Sequence, residues 1–335
     1  MTVASECIEI TERSFVCTGF FGEFKEMLNF IIKRIFYCVL VLFITSILAF
    51  MMLRIAPGGP FDAEKTVDEE VNRQLLEKYR LDRSIPEQYV SYIGDIVLRA
   101  DLGPSYTMPD STVNDVLKEH IPVSFVLGFT AIVLGVLTGM AFGVIAVLYH
   151  NSGIDGFVMI IAIIGIAVPN FVLAPLLFYL LALKLHAVGI AFNYNLSTAI
   201  LPILVLSLPV IAKVARLTRG GLLEVMQSDF IRSARAKGLS ETAVLVKHGL
   251  RVAILPVVSF LGPACAAVMT GSIVVERIFA IDGLGNCFFN AAINRDYTVV
   301  MGLVLLYSAL LVVFNAAVDM AYGFLDPRVR IRNAG

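Results

Sequence analysis

The chain has 335 residues, 58% of them hydrophobic and 16% charged, with a mean hydropathy of +0.83. Soluble globular chains run near ~45–50% apolar and ~25% charged. Here the apolar excess is gathered in runs too long for a soluble core, so the chain is read as a polytopic membrane protein in contact with lipid. The net charge of −1 is uninformative because charge is segregated by loop, and no nucleic-acid partner is expected.

Taken from the start, residues 1–26 lack the basic start and apolar core of a cleaved signal peptide. They are read as a disordered N-terminal extension or as a mis-assigned start, with Met27-Leu28-Asn29-Phe30 as the natural beginning. Runs without a charged residue follow at 35–53, 122–148, 157–183, 199–212, 254–275 and 297–318. A hydrocarbon core ~30 Å thick needs ~20 helical residues. The fourth run reaches that length if Lys213 and Arg216 snorkel to the interface. With no water in the core, such runs must be helices, so the fold class is all-α with six transmembrane helices.

The 54–121 segment after span 1 holds 13 acidic and eight basic residues. Val71, Leu75, Leu76 and Tyr79 recur at helical spacing, as do Tyr89, Ile93, Ile96 and Val97 after Pro86. Two amphipathic helices are predicted, resting on the membrane surface or on neighbouring spans. In span 2, Gly135, Gly139 and Gly143 recur every four residues after Ala131. Such a stripe lets another helix approach closely, either within this chain or from a second membrane subunit. Span 3 is interrupted at Pro169-Asn170 and at Pro175, predicting a bend that is buried or lines a cavity.

Only Asn170, Asn315 and hydroxyls are expected to offer polarity deep in the membrane, which makes the two asparagines pathway candidates. Ion-coupled carriers hold charged groups there, so that class is disfavoured. No GxxxxGK[ST] occurs, and no catalytic constellation is visible, so no enzyme activity or own ATP site is expected. The five cysteines form no CxxC pair, and the four histidines lack a second ligand at helical spacing. Neither a metal nor a cofactor is expected.

Between spans 4 and 5 lies the most basic stretch, with seven Lys/Arg against three Asp/Glu from Arg216 to Arg251. Lys25, Lys33 and Arg34 precede span 1, and Arg328, Arg330 and Arg332 follow span 6. The positive-inside rule puts all three groups, and both termini, in the cytoplasm. Ser228 is a candidate N-cap with Asp229 complementing the helix end, and Gly238 is a candidate C′ residue. Ser240 would cap a second helix, with Glu241 in its first turn, running through Leu250 to the mouth of span 5 at Pro256. Phe230, Ile231 and Ala234 can pack inward while Arg232, Arg235 and Lys237 are exposed. A mere topology signal needs no caps and no Gly hinge, so a docking platform is expected.

The segment Arg232-Ser233-Ala234-Arg235-Ala236-Lys237-Gly238, followed by Leu255-Pro256, resembles the EAA loop of ABC-importer permeases. Arg232 stands in place of the family's Glu and Ser233 in place of its first Ala, and about five extra residues precede Leu255-Pro256. Both departures resemble the peptide and nickel branch. Leu53 through Phe61, Asp101-Leu102-Gly103-Pro104-Ser105, Pro169-Asn170-Phe171-Val172, Asn294-Arg295-Asp296-Tyr297 and Leu325-Asp326-Pro327-Arg328 also resemble the B-type subunit of oligopeptide permeases. Asp282 departs from the Pro of the family's Ile-Pro-Gly-Leu-Gly turn, although Asp-Gly still turns.

The resemblance implies a type I ABC importer permease fold over residues 27–330, with 54–121 as an external helical segment, 216–253 as a cytoplasmic coupling loop and 331–335 as a tail. It implies four kinds of partner: a homologous second permease, two cytoplasmic ATPase subunits, an extracytoplasmic peptide-binding protein and lipid. Phe230, Arg232, Ser233, Ala234, Arg235, Lys237 and Gly238 would couple the chain to the ATPase in the bacterial inner membrane. Cargo would be oligopeptides, with dipeptides, murein peptides or nickel chelates as alternatives. An ion-coupled carrier and a membrane receptor or scaffold are the rivals from other classes.

Overall fold

A computed structural model describes residues 32–56, 69–108, 110–189, 192–193 and 195–325. The expectations for 1–26, for the 57–61 part of the first motif, for the Asp326-Pro327-Arg328 part of the last, and for the tail at 331–335 lie outside the described residues.

In chain order, α1 (Ile32–Ile55) is the first apolar helix. Two short helices follow, α2 (Glu69–Lys78) and α3 (Ile85–Arg99), where the helical spacing predicts them. Next comes α4 (Val113–Leu148), 36 residues long, begun by a reciprocal cap in which Thr112 and Asp115 bond each other's backbone N–H. At ~1.5 Å per residue this helix exceeds the ~30 Å hydrocarbon core, so it projects beyond it.

The pair α5 (Gly153–Ala167) and α6 (Asn170–Leu177), the latter continued by a π-helical turn at Phe178–Lys184, is bent by 107°. The bend falls at Pro169, which has no N–H to continue the ladder. Pro175, by contrast, sits inside α6. Next, α7 (Leu196–Val225) has 30 residues, well beyond the 199–212 core read from charge alone, with Lys213 and Arg216 exposed along it.

The remainder comprises α8 (Asp229–Ala236), α9 (Glu241–Ala243), α10 (Leu250–Ala253), α11 (Leu255–Met269), α12 (Ile273–Ile278), α13 (Leu284–Ile293) and α14 (Tyr297–Leu325). The stretch Leu255–Ile278 counts as one apolar span. With α1, α4, α7 and α14 it gives five spans, and the bent pair makes six.

The glycine stripe fixes the topology of the bundle. A Cβ on Gly135 would lie 2.6 Å from Val210, one on Gly139 2.7 Å from the Ile211 carbonyl, and one on Gly143 2.6 Å from Thr218. Both partners therefore advance in the same direction, so α4 and α7 are parallel. The chain between them must return across the membrane, and the bent α5–α6 pair is what returns it. All three glycines are buried within this chain, which is the nearer of the two readings left open for the stripe.

Antiparallel contacts close the bundle. Gly262 of α11 rests on Asn315 and Val318 of α14, and the Tyr322 hydroxyl donates to the Leu255 carbonyl at 2.6 Å. Arg34 of α1 meets Asp319. Hence the start of α1, the ends of α4, α7 and α14, and the 226–254 stretch share one side, called here the platform side. The far side carries α2, α3 and the α12–α13 hairpin.

The expectation of a charge-free interior needs correction. Glu276, in the last turn of the fifth span, is 3% exposed, and Asp155, at the start of α5, is 4% exposed. Each sits one or two residues outside the charge-free windows, and each is buried because it has partners. Arg219 holds Asp155 with two hydrogen bonds of 2.7 and 2.8 Å, and the Asn151 N–H adds a third at 3.2 Å. Glu276 accepts from the Ser124 hydroxyl and the Asn286 N–H, both at 2.8 Å.

Candidate functional site

The platform begins where α7 leaves the bundle. Ser228 has extended backbone, as an N-cap should, yet its hydroxyl turns back to donate to the Val225 carbonyl at 2.6 Å and makes no capping bond. The α8 start therefore relies on Asp229 in its first turn, where a negative charge opposes the helix dipole. Ile231 and Ala234 are buried and join Val244, Val225 and Met226 in one cluster that seats α8 on the end of α7.

Phe230 does not pack inward with them: it is 46% exposed. Positions 231 and 234 are three apart and share the inner face, which leaves position 230 at its edge, where the ring stays exposed. Ala234, grouped with the coupling residues in the sequence, belongs to the inner face. Arg232, Ser233, Arg235, Lys237 and Gly238 are all exposed. Phe230, Ser233 and Lys237 follow one stripe of the helix, and Arg232 and Arg235 the adjacent one.

Gly238 has φ +78°, and its N–H donates to the Arg235 carbonyl at 2.9 Å. No atom lies within 4 Å of where a Cβ would stand, so the requirement for glycine is the left-handed backbone and not room. The chain then restarts at Ser240, whose hydroxyl accepts from the Ala243 N–H at 3.3 Å. Across this turn Arg235 makes a two-pronged pair with Glu241, at 2.7 and 3.0 Å. Sequence reasoning placed Glu241 in the first turn of the second helix but did not pair it with Arg235; the signal available was an acid six residues after an arginine across a predicted glycine turn.

The second helix continues through 241–253 to the mouth of the fifth span, as the sequence predicts, with a π-helical turn at Val244–Gly249. Such turns insert a residue into the helical ladder and redirect the side chains that follow. Leu245 and Ala253 are buried with Leu222 of α7 and Val147 of α4. Gly221 of α7 lies so close to Ala253 that a Cβ there would meet its carbonyl at 2.9 Å. The platform is thus wedged onto the ends of two parallel helices. Two residues before Gly221, Arg219 ties α7 to Asp155 of α5.

The far side is organised by two carboxylates. Asp296, 1% exposed, accepts from Ser105, from the Thr107 hydroxyl at 2.8 Å and N–H at 3.2 Å, and from Thr298 at 2.9 Å. Burial pushes its carboxyl up, but the hydrogen bonds outweigh that and leave it below the ordinary carboxylate range. The Asp101–Ser105 and Asn294–Tyr297 motifs, separate in sequence, thereby meet. Glu276 is cradled by Gly271, Gly283 and Gly285, and its partner Ser124 also accepts from the Leu284 N–H at 2.8 Å. Asp282, the departure from the family's Pro, lies 3.2 Å from His120 Nε2, so the turn is anchored to α4.

Of the pathway candidates, Asn170 opens α6 at the 107° bend and is partly exposed. Asn315 lies in the α11–α14 seam against Gly262. The structure does not bring the two together with the platform residues.

Two family models match the chain. Residues 27–127 match the N-terminal part of the membrane component of binding-protein-dependent transport systems, and residues 131–331 match their inner membrane component. The oligopeptide transport system permease protein OppB of Escherichia coli (strain K12) is 44% identical over 306 residues, covering 91% of this chain and 100% of that protein. The dipeptide transport system permease protein DppB of Bacillus subtilis (strain 168) is 40% identical over 309 residues, covering 92% and 100%. Among solved structures, the inward-facing MetNI methionine ABC transporter aligns with a TM-score of 0.54 at 18% identity, over 63% of this chain and 96% of that one. That likeness shows a shared fold, the type I ABC importer permease fold expected from the platform motif. With both halves matched, the chain belongs to the binding-protein-dependent transport system inner membrane components, as a multi-pass permease.

Proposed function

We propose that the chain is the membrane-spanning permease subunit of an ATP-driven importer of oligopeptides. The observation that carries this reading is the 44% identity, over the full length of the relative, to an oligopeptide permease. Dipeptides are the second reading, supported by a 40% match of the same extent to a dipeptide permease. The platform side faces the cytoplasm, since it carries the basic 216–251 stretch. Both termini lie on that side.

The partners are a second, homologous permease, two cytoplasmic ATPase subunits and an extracytoplasmic peptide-binding protein. Energy comes from the ATPases, which engage the exposed face of α8: Phe230, Ser233 and Lys237, with Arg232 alongside. Arg235 acts first as a positioning residue, holding α8 against α9 through Glu241. Because α8 and 241–253 are wedged onto α7 and α4, movement of the platform moves those helices as one body. The bundle then alternates between inward- and outward-open states, with Asn170 at the bend and Asn315 in the seam as the polar groups nearest the path. Cargo of varied sequence is tolerated because few fixed charges face the interior.

The test is reconstitution with the partner subunits in proteoliposomes, followed by uptake of peptides of graded length. ATP-dependent uptake that peaks above dipeptides supports the reading. Uptake that collapses with the proton gradient and needs no ATPase overturns it.

A further inference from the structure

On the far side, outside the packed bundle, a cavity of about 290 Å³ opens between the end of α1, the α2–α3 pair and the start of α14. That is near the lower end of the ~300–1,000 Å³ typical of small-ligand pockets. Its floor is apolar, from Phe50, Leu53 and Met301. Its wall is cationic: five Lys/Arg line it against two carboxylates, Asp95 and Asp101.

Those carboxylates do not neutralise the wall. Asp95 is shared between Arg80 at 3.7 Å and Arg99 at 3.6 Å, and Asp101 accepts from the Gly103 N–H at 2.9 Å. Arg54 stacks over Phe50 at 5.0 Å and bonds Tyr106. Lys78 lies 5.5 Å over the Tyr79 ring. Neither Lys78 nor Arg83 has a carboxylate partner among the described residues.

Two residues of the lining also carry buried polar atoms without partners among the described residues, Gln88 Oε1 and Tyr92 Oη. The Gln88 amide is held in place, since its NH₂ donates to the carbonyls of Leu81 at 3.1 Å and Arg83 at 2.8 Å. Its oxygen is therefore a fixed acceptor. Burial pushes the Tyr92 phenol well above its ordinary value, so it stays a neutral donor at working pH. Buried polar groups in native structures are nearly always partnered, so two orphans on one cavity wall call for an explanation.

We propose that this cavity binds the carboxylate-bearing end of a peptide segment, with Lys78 and Arg83 meeting the carboxylate, Tyr92 donating to an acceptor of the segment and Gln88 Oε1 accepting a backbone N–H. The demand for an acceptor and a donor beside the charge fits a peptide better than a bare anion. The proposal rests on the importer reading only in placing the cavity on the external face, where peptide cargo and the binding protein arrive.

The test uses the full chain with its partner permease and ATPases in phosphatidylcholine nanodiscs, without the binding protein. The probe is a fluorescent Ala-Tyr-Asp peptide with a free C-terminus. Saturable binding is expected, falling by more than about tenfold in Lys78→Glu/Arg83→Glu, both exposed sites. Tyr92→Phe should weaken binding about fivefold, the worth of one hydrogen bond, while leaving the melting temperature unchanged or higher because an orphaned hydroxyl is gone. A lower melting temperature with unchanged binding would make Tyr92 structural and overturn its role.

Loss of binding on C-terminal amidation assigns the carboxylate to cargo, whereas equal binding of acetyl-Ala-Asp-Ala-amide assigns it to an acidic side chain of an external protein. No binding, or loss of peptide binding when phosphatidylglycerol replaces part of the phosphatidylcholine, overturns the proposal. Absent binding with ATP-driven peptide uptake intact sinks the cavity alone; retained binding without any peptide uptake sinks the importer reading alone.

Discussion

The Glu276 and Asp296 centres of the far side and the α8 helix of the platform are held together by opposite means. On the far side, charge is buried and spent on internal hydrogen bonds, with Glu276 and Asp296 each gathering donors from segments far apart in sequence. On the platform side, the inner face is apolar, through Ile231, Ala234 and Val244, and the charges are left outside. A carboxylate that bonds several elements at once resists deformation, because shifting any one element orphans a buried group. A helix seated on small apolar contacts, with its charges exposed and paired only locally, as Arg232 with Asp229 and Arg235 with Glu241, presents those charges to a partner. Those two carboxylates are built to keep their surroundings in shape, and α8 to leave an exposed face available.

That contrast can be broken by mutation. The largest loss of stability is expected at Glu276→Leu, which orphans the Ser124 hydroxyl and the Asn286 N–H and should cost ~3 kcal/mol or more. The check is a thermal melt of the purified protein in detergent. Asp296→Asn should cost ~1–2 kcal/mol, since an amide can accept from only some of its donors.

The same site gives a pH signature. The Asp296 carboxyl is held below the ordinary value in the folded state, so its stabilisation is complete above the unfolded pKa, ~4. It is lost as pH falls through the lower folded value. Melting temperature should therefore drop in that acid window for the native protein and less steeply for Asp296→Asn.

On the platform, Gly238→Leu should cost only ~1–2 kcal/mol, from a side chain forced into left-handed backbone. It should insert normally yet abolish ATP-driven uptake, measured in proteoliposomes. A melting-temperature loss as large as that of Glu276→Leu would erase the contrast between the two sides. The smallest effect belongs to the exposed Arg235–Glu241 pair, worth ~0.2–1 kcal/mol. Arg235→Glu should weaken ATPase association in pull-downs. If Arg235 acts by positioning, the swap Arg235→Glu/Glu241→Arg restores association; if it touches the ATPase, the swap fails.

Much of this was legible from the chain. Spans follow from charge-free runs because a bilayer allows few alternatives, and the platform follows from an extended Ser228, a left-handed Gly238 and a capping Ser240. What local pattern cannot carry is pairing across the fold. Ser124 and Glu276 stand 152 residues apart, and Thr107 and Asp296 189, so neither leaves a periodic trace. The windows that find spans by absence of charge also trim away buried charges at their ends, which is why Glu276 and Asp155 were passed over. Phe230 misled for a different reason: hydrophobicity suggested the core, but helical phase gave the inner face to Ile231 and Ala234. The Gly135–Gly143 stripe announced a close neighbour without saying that the neighbour was α7.

That seam has a mechanical consequence. With glycines on one side and Val210, Val214 and Thr218 on the other, α4 and α7 mesh like a rack with teeth every four residues, ~6 Å along the axis. Any smaller slip would drive a valine or threonine side chain into backbone. The two helices can tilt together but cannot creep past one another, so a stroke delivered near Gly143 arrives at Gly135 undiminished.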